Sequence, residues 1–131
     1  MALNAKQKGN RWELACARLL KPIWPQVATA RLMSKAADDA GMDLVNTGRF
    51  NIQCKHVERG LDLHGTLDRM PNFGFNVVLW KRNRKTALAV LTMSQAQELI
   101  SLLQIATKIE NGESIDVLKL DTYRTTLRTL F

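Results

Sequence analysis

The chain is 131 residues long, 46% apolar and 24% charged, with 19 Lys and Arg against 12 Asp and Glu for a formal charge of +7. These figures exclude a disordered, fibrous or disulfide-stapled chain and fit one compact domain, 1–131, with a self-sufficient core, which the element order below makes α/β; Cys16 and Cys54 form at most one bridge. No apolar run approaches the roughly 18 residues needed to cross a bilayer, and the start lacks an apolar leader, so a cytoplasmic setting is expected, with a polyanion as the natural partner of the basic excess.

From the N-terminus, Trp12, Ala15, Cys16, Leu19 and Leu20 recur at helical spacing and predict an amphipathic helix from Ala5 to Lys21, closed by Pro22 and Pro25. Lys6, Lys8, Arg11, Arg18 and Lys21 make its solvent side basic. Gln26 to Met33 reads as a short strand and Ser34 to Gly41 as a loop in which Asp38 and Asp39 are read as solvated, the alternative being that one of them reaches a cation held nearby. Asp43–Val45 and Phe50–Lys55 flank Asn46-Thr47-Gly48-Arg49 and predict a tight hairpin. On its second strand Phe50, Ile52 and Cys54 share one face, and Asn51, Gln53 and Lys55 the other, wetter one.

A short helix follows from Asp62 to Met70. The apolar run Phe75–Trp80 predicts a central strand buried on both faces, and Ala87–Leu91 another strand beyond the basic turn Lys81-Arg82-Asn83-Arg84-Lys85. Ser94 with Gln97 reads as a capping box for a helix carrying Ala96, Leu99, Ile100, Leu103 and Ala106, which ends at Asn111-Gly112. The tail, Asp116–Phe131, suits a last helix, although Ile115–Leu120 also suits a strand. The order α-β-β-β-α-β-β-α gives a mixed central sheet flanked by helices.

Four groups carry the chemistry: Glu13 on the first helix, Asp43 opening the hairpin, and Gln53 and Lys55 on its return strand. With the turn centred near Thr47-Gly48, Asp43 lies opposite Ile52 or Gln53, beside the face bearing Gln53 and Lys55. That set offers oxygens for a hard cation and an ammonium for a phosphate, the requirements of phosphodiester hydrolysis. Taken singly, each residue is better explained as an exposed acid, a turn cap or the wet face of a strand; their order changes the balance. His56 reads as a core-edge histidine, His64 as a surface one, and Trp12, Trp24 and Trp80 as core. No zinc-ligand spacing and no phosphate-binding glycine loop is present, so no nucleotide cofactor is expected.

Lys8-Gly9-Asn10-Arg11-Trp12-Glu13, then Gly41-Met42-Asp43-Leu44-Val45, then Ile52-Gln53-Cys54-Lys55 resembles the ordered motif set of the PD-(D/E)XK nuclease superfamily. The Gly9-to-Glu13 spacing and Ser34 upstream of the aspartate are similar to archaeal and phage Holliday-junction resolvases, and the Gln-x-Lys form to Mrr-type restriction endonucleases. The motifs cover residues 6–56, and the element order extends the match to about Leu103.

The resemblance implies a restriction-endonuclease-like domain that hydrolyses DNA with Mg²⁺ or Mn²⁺, acts on branched DNA during recombination, and works as a homodimer; a phage product in a bacterial host is one setting it implies. Asp43 would be the principal metal ligand, joined by Gln53, the Cys54 carbonyl and Glu13. Lys55 would position the attacking water, and Gly9 would leave room for phosphate. Lys6, Lys8, Arg11, Ser34, Lys35, Lys81, Arg82, Arg84 and Lys85 would contact the nucleic acid. Met42 stands where the family often has proline, and Gln53 where it often has an acid, which removes one negative charge from the site. The alternative is a nuclease-fold DNA- or RNA-binding or regulatory protein with weakened catalysis, and a third reading is an RNA-binding or ribosome-associated protein.

Overall fold

The computed structural model describes residues 3–131. It is an α/β structure in which helices pack on a small mixed sheet of three strands, with a separate pair of strands beside it. Helix α1 (Ala5–Leu20) starts at Asn4, whose side chain accepts from the Gln7 N–H while the Gln7 side chain accepts from the Asn4 N–H, a reciprocal cap. Its inward face buries Trp12, Cys16 and Ala17.

The segment expected as one strand, Gln26–Met33, divides instead into strand β1 (Ala28–Thr29) and a helical turn, α2 (Ala30–Met33). Ala30, Arg31, Leu32 and Met33 are all strong helix formers, and the period-two pattern that suggested a strand is too short to outweigh them. The expected loop after it is also partly helical. Ser34 caps α3 (Lys35–Asp39) by accepting from the Ala37 N–H, and Ala36 and Ala37 favour the turn.

The predicted hairpin is modified rather than regular. Strand β2 (Leu44–Val45) pairs antiparallel with β1, while β3 (Phe50–His56) belongs to the three-strand sheet. The two remain stitched by the Asp43 N–H, which donates to the Ile52 carbonyl at 2.7 Å. Asn46 (φ 63°) and Gly48 (φ 59°) turn the chain between them. At Gly48 a Cβ would collide with the Leu130 carbonyl oxygen, so both conformation and close packing require glycine there.

Helix α4 (Leu63–Asp68), capped by Asp62, carries the chain from β3 to β4 (Phe75–Lys81). Strands β3 and β4 run parallel from Phe50 opposite Phe75 to His56 opposite Lys81, and β5 (Leu88–Val90) closes the sheet antiparallel to β4. The apolar run thus is the middle strand, with Val77 and Val78 both buried. The expected wet face of β3 is wet only in part. Asn51 is buried because its amide donates to the Phe73 carbonyl and to Asn76 Oδ1, so its polar group is not left unpaired.

Helix α5 (Met93–Glu110) is capped by Thr92, not by Ser94: the Thr92 hydroxyl accepts from the Gln95 N–H, and the Gln95 side chain reaches Asn76 and Gly74 instead of closing a box. The ambiguous tail is helical, α6 (Val117–Leu130), started by Asp116 accepting from the Leu118 N–H.

One cluster joins α1 to the sheet through Trp12, Cys16, Leu44, Ile52 and Cys54, and continues to Trp24 and Val27. Trp12 Nε1 donates to the Leu79 carbonyl and Trp24 Nε1 to that of Leu130, fixing α1 on β4 and the end of α6 on the core. Trp80, expected in the core, is half-buried with its Nε1 donating to the Val57 carbonyl. No helix among the described residues is long and apolar enough to cross a membrane.

Candidate functional site

Asp43 sits where α2, β2 and β3 meet. Its backbone carbonyl accepts from the Ala30 N–H at 2.7 Å, its N–H donates to Ile52, and its side-chain Oδ2 accepts from the Cys54 N–H at 2.6 Å. The carboxylate therefore takes a ladder position on the edge of β3 that a neighbouring strand would otherwise fill. This is why the ladder of the expected hairpin is interrupted here. Because Ile52 and Cys54 direct their main-chain groups to that edge, strand alternation aims the Cys54 carbonyl the same way, away from β4.

Burial pushes the Asp43 carboxyl up to about 6, with the nearby charges of Glu13 and Asp38 adding to the rise; the Cys54 N–H and Lys55 oppose it. Glu13, reaching in from α1, is likewise raised by desolvation, opposed by Arg31 and raised further by Asp38. Its Oε2 accepts from Arg31 Nε at 3.0 Å, and its side chain is only 14% exposed. Three carboxyl groups from α1, α3 and the start of β2 thus share one electrostatic neighbourhood with Lys55. Among the described residues Lys55 forms no ion pair within 4 Å, which leaves its ammonium available to an incoming anion.

Gln53 is half-buried beside Gly41 (φ 82°). A Cβ at Gly41 would lie 3.8 Å from Gln53 Oε1 and 3.4 Å from the Arg69 carbonyl, both ordinary contacts, so it is the positive φ of the turn that favours glycine there. At Gly9 a Cβ would meet no atom within 4 Å: that face of α1 is open, and the packing of the chain itself places no demand for glycine there.

Cys54 contributes its backbone, not its sulfur. Cys16 and Cys54 are free and buried, and the Cys16 thiol together with burial holds the Cys54 thiol far above its ordinary range. The Cys54 thiol is therefore neutral and shielded, unsuited to nucleophilic attack or thiolate ligation. Among the described residues no three His, Cys, Asp or Glu side chains converge as a cation cage. The oxygens this region could offer a cation are the Asp43 and Glu13 carboxylates, the Gln53 amide and the Cys54 carbonyl, which are the ligand types of a hard cation such as Mg²⁺, an ion that keeps several waters and takes only one or two carboxylates from a protein.

The basic residues fall into separate places. Lys8 and Arg11 on α1, Lys81 at the end of β4 and Asn83 beyond it line one groove of about 380 Å³, with Trp12 and His56 in its wall. Lys8 and Arg11 of the first-helix cluster and Lys81 of the basic turn, far apart in sequence, therefore share one groove. Lys6, Arg84 and Lys85 are exposed, and Arg82 stands 4.0 Å from Glu58. Ser34 and Lys35 serve local structure: Ser34 caps α3, and Lys35 pairs with Asp39 at 2.8 Å.

The sequence did not reveal Arg31 as the partner of Glu13, and of the two readings of Asp38, solvated or reaching the site, the charge of Asp38 felt by both Glu13 and Asp43 favours the second. The helix-forming run Ala30–Met33 and the Ser-x-x-Ala start at Ser34 were the available signals. Comparison with known protein families, with curated proteins and with solved structures finds no match, so the chemistry of the site is argued from its own residues.

Proposed function

We propose that this chain is a metal-dependent endonuclease that hydrolyses DNA phosphodiester bonds, built on a restriction-endonuclease-like arrangement of helices and sheet. The observation that carries the reading is the meeting of Asp43 and Glu13, both desolvated and raised, with Lys55 beside them on a chain of charge +7. Desolvated carboxyl groups that repel one another are costly unless a cation joins them.

Asp43 and Glu13 would hold Mg²⁺ or Mn²⁺ with the Gln53 amide and the Cys54 carbonyl; the ion supplies charge neutralisation and an acidified water. Asp43 is fixed by main-chain hydrogen bonds on both sides of its peptide and by the Cys54 N–H, so its oxygens are pre-oriented. Lys55, two residues beyond Gln53 on the same face of β3, stabilises the negative charge that develops on the phosphate and orients the attacking water. Arg31 holds Glu13 in place and offsets its charge while no cation is bound. The groove of Lys8, Arg11 and Lys81 binds phosphate backbone, which positions a substrate without reading its sequence.

Branched DNA such as a four-way junction is the substrate class we favour. The test is a cleavage panel of four-way junction, flap, nicked duplex, linear duplex and single strand, each with Mg²⁺, Mn²⁺ or EDTA. Metal-dependent cutting that Asp43→Asn abolishes supports the proposal; intact substrates in every lane, under conditions where they are bound, refute it. The neutral Gln53, which brings an amide where a carboxylate would hold the cation more tightly, favours one second reading, a nucleic-acid-binding module of the same fold without catalysis. That module would bind the panel across a salt series and cut nothing.

A further inference from the structure

We infer that the cleft between α1 and α2 is a subsite for one unpaired nucleotide of the DNA strand, held beside Glu13 and Asp43; that its ligand is DNA rests on the hydrolase reading. The cleft, of about 280 Å³, is lined by Leu14 and Ala17 from α1, Leu32 and Met33 from α2, and Val27 and Thr29 from the chain around β1. Its walls adjoin the candidate site. Glu13 precedes Leu14 and lies about one turn from Ala17, Arg31 precedes Leu32, and the 3.0 Å pair of Arg31 with Glu13 joins the two helices. The Ala30 N–H, next to Thr29, donates to the Asp43 carbonyl.

The lining defines the ligand. Leu14, Leu32 and Met33 are 42%, 70% and 64% exposed although they share one cleft, apolar surface that a ligand would take out of water. Arg18 and Lys21 also line the cleft, no acid does, and among the described residues neither forms an ion pair within 4 Å. A complementary ligand is therefore anionic as well as apolar. Thr29, 3% exposed, carries the one buried side-chain oxygen or nitrogen without a hydrogen-bond partner among the described residues, so the wall also holds an unanswered polar group.

A nucleotide has this composition: a ring with an apolar face and polar edges, joined to phosphate. The cleft is smaller than the roughly 300–1,000 Å³ of sites for drug-sized molecules, so it admits one base and its sugar, and a base enters only when it is out of the duplex. The ring lies among Leu14, Leu32 and Met33, and the flanking phosphates meet Arg18 and Lys21. Flaps, strand ends and opened branch points supply such nucleotides, and a smooth duplex does not. The cleft thus gives the chain a reason to prefer branched DNA, which phosphate contacts in the groove of Lys8, Arg11 and Lys81 do not supply.

The test compares two twelve-nucleotide strands of equal charge, oligothymidine and a strand of abasic nucleotides, by fluorescence anisotropy with the full chain in EDTA. Wild type should bind the thymidine strand at least about 5-fold more tightly, the lower end of what one held base contributes. Leu32→Ser with Met33→Ser should bring that ratio near one with unchanged far-UV circular dichroism, since both side chains are exposed. Leu103→Ser, a comparably exposed position on α5, should leave the ratio as it is. Arg18→Ala with Lys21→Ala should weaken binding of both strands and lower the slope of log affinity against log salt by about 1.4, roughly 0.7 for each phosphate released. Equal affinity of wild type for the two strands overturns the inference and leaves the cleft to an acidic, apolar segment of another protein. So does a ratio that survives Leu32→Ser with Met33→Ser, one that Leu103→Ser abolishes, or a salt slope that Arg18→Ala with Lys21→Ala leaves unchanged. The hydrolase reading fails separately: a chain that shows the base-dependent ratio and cuts nothing in Mg²⁺ or Mn²⁺ keeps the cleft and loses the hydrolase, and one that cuts without the ratio does the reverse.

Discussion

Replacing Asp43 with asparagine should stabilise the metal-free protein. The carboxyl is raised from 3.8 to about 6, chiefly by desolvation, so the folded state binds its proton more tightly than the unfolded chain does. For an acid shifted upward the sign is definite: stability is greatest below the unfolded value, falls as pH rises through the interval to about 6, and stays low above it. At 1.36 kcal/mol per pH unit, a shift of this size costs on the order of 2–3 kcal/mol at pH 7.5. The asparagine amide would keep an oxygen for the Cys54 N–H without the charge. For a chain of this length the gain corresponds to a rise in Tm of about 7–10 °C. The assay is thermal unfolding of wild type and Asp43→Asn from pH 3 to 8 in EDTA. The curves should converge below pH 3.8 and separate as pH rises toward 6, with wild type the less stable. Mg²⁺ should then recover part of the lost stability in wild type and none in the variant. A variant less stable than wild type at pH 7.5 would refute the claim that Asp43 is a desolvated charge awaiting a cation.

Lys55→Ala should lower the cleavage rate by about 10²–10³ with little change in DNA affinity, measured by single-turnover kinetics beside equilibrium binding. Arg31→Ala removes the cation competing for Glu13, and should tighten Mg²⁺ binding about threefold at pH 8, read by calorimetry; weaker binding would mean that Arg31 chiefly holds Glu13 in position. Combining Lys8→Ala, Arg11→Ala and Lys81→Ala should reduce the slope of log affinity against log salt by about 2–3, roughly 0.9 for each phosphate that is no longer neutralised. Gly48→Ala should cost at least about 2 kcal/mol, through its positive φ and the close Leu130 carbonyl, seen as a lower urea midpoint.

Where a periodic pattern ran long enough, the sequence carried the fold. The apolar stripe around Trp12 and Cys16, the run Phe75–Trp80 and the spacing from Leu99 to Leu103 correspond to α1, β4 and α5. Four residues at Ala30–Met33 were too few for period two to be told from a helical turn, and intrinsic helix preference decided there. Burial of Asn51 was not legible, because its partners Phe73 and Asn76 arrive only once β3 and β4 lie side by side. Asp43 could be placed beside the return strand from turn geometry alone, but not its bond to the Cys54 N–H, in which a side chain replaces a strand neighbour. The pairing of Glu13 with Arg31 and the nearness of Asp38 depend on how three helices meet, and no spacing in the chain encodes that directly. The same holds for Lys8, Arg11 and Lys81, from two distant basic clusters that the folded chain brings to one groove.

The central claim is that Asp43 and Glu13 hold a divalent cation for phosphodiester cleavage, and its most direct measurement is single-turnover cleavage of a labelled four-way junction with Mg²⁺ and with EDTA. Wild type should cut with Mg²⁺ and stop in EDTA, while Asp43→Asn binds the junction with similar affinity and leaves it whole. A junction bound and uncut by wild type in Mg²⁺ and in Mn²⁺, or cut equally by Asp43→Asn, would contradict it.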